Sequence, residues 1–136
     1  MSLFVIPVDP ANASQIFRVG LDGVNYWMRF DFNATASLNL PPNAAAANAG
    51  RWSVSLYSDG GTPVYLGRLL TVGQNPFGGL TNPAAPPGLF MCISATASVS
   101  TDGKNTITGD DNPPGYYGQA DLGTGCRCQL LYQGAY

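Results

Sequence analysis

The most regular stretch of the chain alternates apolar and polar positions. From Val24 to Phe32, the residues Val24, Tyr26, Met28, Phe30 and Phe32 fall on one face, and Asn25, Trp27, Arg29 and Asp31 fall on the other. A period of two sends successive side chains to opposite faces of a strand, so this segment predicts a half-buried strand. Leu21-Asp22-Gly23 before it reads as a turn, fed by an earlier strand from Gln15 to Val19. Arg51 to Tyr57 alternates as well, with Trp52, Val54 and Leu56 on one side, and runs into Ser58-Asp59-Gly60-Gly61. That tetrapeptide is a turn signal, because Gly tolerates positive φ and Asp supports tight turns. Val64 to Val72 returns as the partner strand, and Pro63 at its start suits a strand end. On this alternation Tyr57 and Tyr65 oppose the inward faces of the hairpin. Leu89 to Ser94 and Arg127 to Tyr132 predict two further strands, and Ser98 to Thr108 another hairpin around Asp102-Gly103.

Helix signals are scarce. Among 136 residues, 17 Gly and 11 Pro punctuate the chain, and Glu, the usual capping-box partner, is absent. The expectation is an all-β fold, a small barrel or sandwich of about six to seven antiparallel strands, forming one domain over residues 1–136. Three segments read as excursions from it: Ala34 to Gly50, Asn75 to Gly88 and Gly109 to Gly118, each rich in Pro, Gly or Ala. Long loops of this kind are uncommon unless they serve a function or are disordered. The second and third contain Phe77, Leu80, Tyr116 and Tyr117, which favours contact surfaces.

Charge changes the picture most. Only 10% of residues are charged; all eight acids are Asp, five of the six bases are Arg, Lys104 stands alone, and there is no His. Ordinary globular chains carry roughly 25% charged residues. A net charge of −2 lacks the basic footprint of phosphate neutralisation, which argues against sequence-specific nucleic-acid binding. No stretch approaches a membrane span, and the apolar run Leu3 to Ile6 is too short for a signal-peptide core, so a soluble chain without a cleaved signal is expected.

Candidate chemistry is thin. Without His, a Cys nucleophile has no ordinary activating base, and no Ser stands in a G-x-S-x-G or S-x-x-K context. Asp22, Asp59 and Asp102 each precede a Gly and are explained as turn residues. No enzymatic activity and no cofactor are expected. The three cysteines Cys92, Cys126 and Cys128 have no CxxC or His partners for a metal, and buried thiols in a reducing compartment are the simplest reading. Asp102 to Asn112 is rich in oxygen ligands but lacks the spacing and terminal Glu of an EF-hand loop, so a solvated turn is preferred to a Ca²⁺ site. The sequons Asn12-Ala13-Ser14 and Asn33-Ala34-Thr35 carry no weight without a secretory signal.

Aromatic residues are more informative. Trp27 and Tyr65 sit on nominally polar strand faces, and further aromatics sit in the loops. Interface cores are depleted in Lys, Glu and Asp and enriched in aromatics, Met and Arg. The residues that predict an interface are therefore Trp27, Tyr65, Phe77, Leu80, Tyr116 and Tyr117.

Several ordered segments resemble a known family. They are Ile6-Pro7, Gln15-Ile16-Phe17, Leu21-Asp22-Gly23-Val24-Asn25-Tyr26 and Arg29-Phe30-Asp31-Phe32-Asn33. After these come the run from Gly50 to Pro63 (G-R-W-S-V-S-L-Y-S-D-G-G-T-P), Gly67, Leu69, Asp121-Leu122-Gly123 and Leu130-Leu131-Tyr132. Together they are similar to the baseplate plug family of contractile-tailed phages. Members of that family are shorter, which places loop insertions at about 34–50 and 75–88. The resemblance implies a non-enzymatic virion protein, made in the host cytoplasm and built into the tail baseplate at the tube–hub junction. It would form a ring with other copies of itself, six favoured over three, and contact tail tube and hub proteins. The rival readings are a carbohydrate- or receptor-binding β-module and a capsid decoration protein.

Overall fold

The computed structural model describes residues 3–33, 49–71, 73–94, 117–118, 122–123, 126 and 128–135. They contain the strands β1 (Leu3–Val5), β2 (Ser14–Leu21), β3 (Val24–Asn33), β4 (Ala49–Ser58), β5 (Pro63–Leu69), β6 (Leu89–Ser94), β7 (Tyr117–Gly118) and β8 (Cys128–Gln133). A larger sheet runs β2-β3-β4-β5, with β7 paired to the start of β4, and a smaller sheet runs β1-β8-β6. All the strand pairings are antiparallel. The two sheets do not join into a closed barrel, so the all-β expectation is met by its sandwich form.

The local reasons follow the sequence pattern. Leu21 pairs with Val24 around a two-residue turn. Both turn residues have positive φ, 52° at Asp22 and 80° at Gly23, the geometry whose twist matches that of the flanking strands. The inward row of β3, Tyr26, Met28 and Phe30, packs with Trp52, Val54 and Leu56 of β4. Phe90, Cys92, Cys128, Leu130 and Tyr132 supply the inner face of the smaller sheet. Cys92 and Cys128 thus lie in the core, while Cys126 is half-buried.

Two expectations are corrected, and one element is new. Strand β5 does not alternate as its sequence suggests: Leu66 and Leu69 are exposed, while Tyr65 packs against the core. Gly67 takes φ 61° and donates its N–H to Ser55 Oγ at 2.9 Å, and the β4–β5 pairing shifts register. Such an irregularity resets which side chains face inward. Second, Gly109 to Gly118 ends in a strand, because Tyr117 and Gly118 pair with Gly50 and Ala49. The new element is β1: Leu3–Val5 of the N-terminal apolar run, to which the sequence pattern assigned no strand, pairs with β8. The hairpin predicted at Ser98 to Thr108, the segment Asp102 to Asn112 and residues 34–48 of the first insertion lie outside the described residues.

The two sheets are joined by a chain of rings and one polar clamp. Phe4 contacts Tyr132 (centroids 5.8 Å apart), Tyr132 contacts Phe90 (4.8 Å), Phe90 meets Phe77 edge-on (5.1 Å) and Phe77 stacks on Tyr65 (4.7 Å). These separations lie in the favourable range for aromatic pairs. The fully buried Tyr132 hydroxyl donates to the Asp22 carboxylate at 2.5 Å and accepts the Gly88 N–H at 2.8 Å. Asp22 also accepts the Ala135 N–H at 3.2 Å. One side chain of the smaller sheet is therefore fixed to the β2–β3 turn of the larger sheet, to the end of the 75–88 loop and, through Asp22, to the C-terminal segment.

Removing this clamp has a measurable cost. Tyr132→Phe leaves the half-buried Gly88 N–H without its acceptor and removes a hydrogen bond to a charged group, so urea unfolding is expected to show a loss of about 1.5–3 kcal/mol. Burial first, and then the Asp22 hydrogen bond, push the Tyr132 phenol well above its ordinary value. Burial and the Asp22 charge raise Tyr26 as well. A phenol held protonated in the fold contributes stability that is complete below pH ~10 and is lost as pH rises through and above that value. Stability measured from pH 9 upward should therefore fall, at up to about 1.4 kcal/mol per pH unit for each such group, and fall less steeply in Tyr132→Phe.

Gly88 supplies a steric counterpart. A Cβ there would meet the Gln133 carbonyl and come within 2.5 Å of the Tyr132 hydroxyl. Gly88→Ala is expected to destabilise the fold by about 1–3 kcal/mol in the same unfolding measurement.

Candidate assembly surfaces

Each described Asp has a structural partner. Asp9 accepts from the Ala11 N–H at 3.0 Å and the Asn12 side chain at 2.6 Å, closing a local turn. Asp31 accepts from Ser14 Oγ at 2.7 Å and Arg29 Nε at 3.0 Å, and Asp59 pairs with Arg18 at 2.8 Å. With Asp22 engaged by Tyr132, these carboxylates stabilise turns and strands. What the arrangement offers is surface.

The outer face of the larger sheet carries a shallow apolar depression, lined by Ile16, Trp27, Tyr57 and Gly61. It forms because Trp27 lies directly opposite Tyr57 on β4 and opposite Arg18 on β2. Trp27 is half-buried, and its Nε1–H donates to the Asp59 carbonyl at 3.3 Å. The Arg18–Asp59 and Arg29–Asp31 ion pairs flank the depression, so the nearby charges are already matched within the chain. Exposed pairs of this kind contribute little to stability.

The 75–88 loop is packed down by its own polar groups. Asn75 Oδ1 accepts the Phe77 N–H at 2.9 Å, Asn82 Nδ2 donates to the Val64 carbonyl at 3.1 Å, and Arg68 Nε donates to the Pro76 carbonyl at 3.2 Å. Phe77 is only 5% exposed and lies between Tyr65 and Phe90. The sequence had pointed to Phe77 as contact surface; its ring instead fills the seam between β5 and β6. Tyr65 also turns inward, and its hydroxyl lies 3.5 Å from the Leu80 carbonyl. Tyr65, Phe77 and Leu80 are thus brought together, with Leu80 still exposed. Trp27 stands apart, on the opposite face of the larger sheet. Tyr117 belongs to β7, and Tyr116 lies outside the described residues.

A second apolar surface was not anticipated. On the outer face of the smaller sheet, Leu3 is 64% exposed, Leu89 63% and Met91 41%. The strand register aligns Leu3, Gln133 and Leu89 in one row and Val5, Leu131 and Met91 in the next, with Gln129 and Ile93 beyond. No charged side chain stands in these rows. The signal was present but masked. Leu89 to Ile93 and Leu130-Leu131 are apolar on both faces, so no alternation marks an outer side.

No curated protein matches the chain. A family model described as "Cyanophage baseplate Pam3 plug gp18" matches residues 3–132. That span takes in both sheets, the 75–88 loop and the Tyr132 clamp, and the chain belongs to this cyanophage baseplate plug family.

Proposed function

We propose that the chain is a non-enzymatic structural component of a phage tail baseplate, assembling as a ring at the junction of tail tube and hub. It is made in the host cytoplasm and incorporated into the virion, where it contacts other copies of itself and the tube and hub proteins. The observation that carries this reading is an uncharged, exposed apolar sheet face on a member of a baseplate family. Contiguous apolar surface on a soluble protein marks a contact site. Six copies match the symmetry of a tail tube and are favoured over three.

Contacts to the neighbouring proteins fall to Trp27 and Leu80 among the described residues, with Tyr116 and Tyr117 completing the set expected from the sequence. Tyr65 and Phe77 serve the same surface from beneath, by holding the 75–88 loop that presents Leu80.

A cryo-electron microscopy reconstruction of tails containing this chain should place its density at the tube–baseplate junction in a closed ring. Density on the capsid shell or at a receptor-binding tip would overturn the assignment. Leu80→Asp is expected to lower incorporation into tails at least tenfold while leaving the melting temperature of the isolated chain within a few degrees, since exposed substitutions rarely alter stability by more than about 0.5 kcal/mol.

A further inference from the structure

Arg51 and Arg68 lie apart from the two ion pairs of the larger sheet and line one open hollow of about 390 Å³ beside β5. The segment after β5 contributes Gln74, Asn75 and Pro76 to the same lining, and among the described residues no acidic side chain stands in it. We propose that this hollow is a carboxylate-binding site and that it takes an acidic side chain of a neighbouring baseplate protein. The choice of partner rests on the baseplate reading above; the carboxylate chemistry does not.

Both guanidinium groups are held in place before any ligand arrives. Arg51 Nη2 donates to Thr71 Oγ1 at 2.9 Å, and Arg68 Nε donates to the Pro76 carbonyl at 3.2 Å. Arg51 is half-buried and Arg68 is exposed. A guanidinium presents a planar fork of N–H donors. The Pro76 bond engages only the Nε of Arg68, and among the described residues nothing pairs with its terminal nitrogens. A fork anchored at Nε and unspent at its end is preorganised, so little side-chain entropy is lost when it closes on a ligand. Two positive charges in one lining also repel each other, and a bound anion relieves that repulsion.

The donors present select a carboxylate over a phosphate. Phosphate sites in loops are built largely from backbone N–H groups. Here those groups are already used. Gly73 donates to the Cys92 carbonyl, Gln74 to the Thr71 carbonyl, Phe77 to Asn75 Oδ1 and Gly78 to the Asn75 carbonyl, while Pro76 has no N–H. Side-chain donors remain for a ligand, and the guanidinium fork matches the two oxygens of a carboxylate. A second copy is a poor source of that group, because its described carboxylates, Asp9, Asp22, Asp31 and Asp59, are each engaged within their own chain. An acidic side chain on a different protein fits, and Arg is enriched among the residues that carry interface energy. Position agrees. Gly78 lines the hollow and Leu80, two positions on, is exposed, so the carboxylate contact extends the loop surface assigned above to neighbouring proteins.

The test follows the arginine Nε–Hε signals of the isotope-labelled full chain by NMR while sodium acetate replaces sodium chloride at constant ionic strength. The Arg68 signal is expected to move along a saturating curve, with Arg18 and Arg29 nearly unmoved, and inorganic phosphate should bind at least threefold more weakly. Arg51→Lys keeps the charge but loses the fork. It should weaken acetate binding at least threefold while the melting temperature and the Phe77 and Gly78 amide signals stay as in the wild type; Arg51→Gln replaces it if it melts early. Non-saturating drift of all arginine signals alike overturns the proposal, as does phosphate binding as tight as acetate or an unchanged acetate affinity in the folded Arg51 variant. For the partner, Arg68→Gln is expected to lower incorporation into tails at least tenfold. If acetate binds as expected but tails take up folded Arg68→Gln like the wild type, the assignment to a neighbouring protein fails. Self-association of the isolated chain that Arg68→Gln abolishes overturns that assignment in favour of a second copy. If the wild-type chain is absent from tails, the baseplate reading fails, and the acetate titration alone still decides the chemistry of the site.

Discussion

The hydrogen bond between the Tyr132 hydroxyl and the Asp22 carboxylate is the constraint on which the placement of the two sheets depends. Apolar burial holds them together but is non-directional, and it would tolerate some sliding of one layer over the other. The clamp removes that freedom, because Asp22 sits in a two-residue turn with little room to adjust and Tyr132 is fully buried between Phe4 and Phe90. The same hydroxyl accepts the Gly88 N–H, so the end of the 75–88 loop is positioned by the bond that sets the sheet spacing. A turn residue thereby acquires a second role. Sequence logic explains why Asp precedes Gly23; only the fold explains why its carboxylate faces a buried phenol.

What could be read from the sequence divides along physical lines. Strands β2, β3 and β4 were legible because one face of each is buried and the other wet, so hydrophobicity alternates with the backbone period. β5 was found, but its faces were misassigned, since one positive-φ glycine at Gly67 reverses the alternation that identified it. Pattern reasoning assumes a regular ladder, and a bulge breaks that assumption without leaving a strong trace. β6 and β8 were also found, yet their outer faces were missed for the opposite reason. Where both faces are apolar, periodicity cannot tell inside from outside. The loop aromatics show a third limit: Phe77 and Leu80 lie three positions apart in one Pro/Gly-rich loop, but the first fills a seam in the core and the second remains exposed.

The scarcity of charge then takes on a more specific meaning. The described carboxylates are committed to turns, to the sheet clamp and to ion pairs on the larger sheet. Among the described residues, the smaller sheet's exposed face has none. A monomer that met only water would be expected to carry charge there, as solvated sheet faces usually alternate apolar with polar side chains. Its absence is localised, and it coincides with the rows where Leu3, Leu89 and Met91 stand exposed.

Two of the four sheet edges, those at β5 and β6, are covered by the chain itself. Asn82 donates to the Val64 carbonyl and so occupies the margin of β5. At β6, the Cys92 carbonyl accepts the Gly73 N–H at 2.7 Å and the Cys92 N–H reaches the Gln74 carbonyl at 3.1 Å, so that edge is also covered by the chain itself. At these two margins a neighbouring strand cannot be recruited, and covering an edge is a common way to prevent uncontrolled sheet growth. The outer faces have no such cover among the described residues. An edge-paired ring would have to break backbone ladders to come apart. A ring joined through side-chain faces can separate by exchanging apolar contact for water, leaving every strand pairing within each subunit intact.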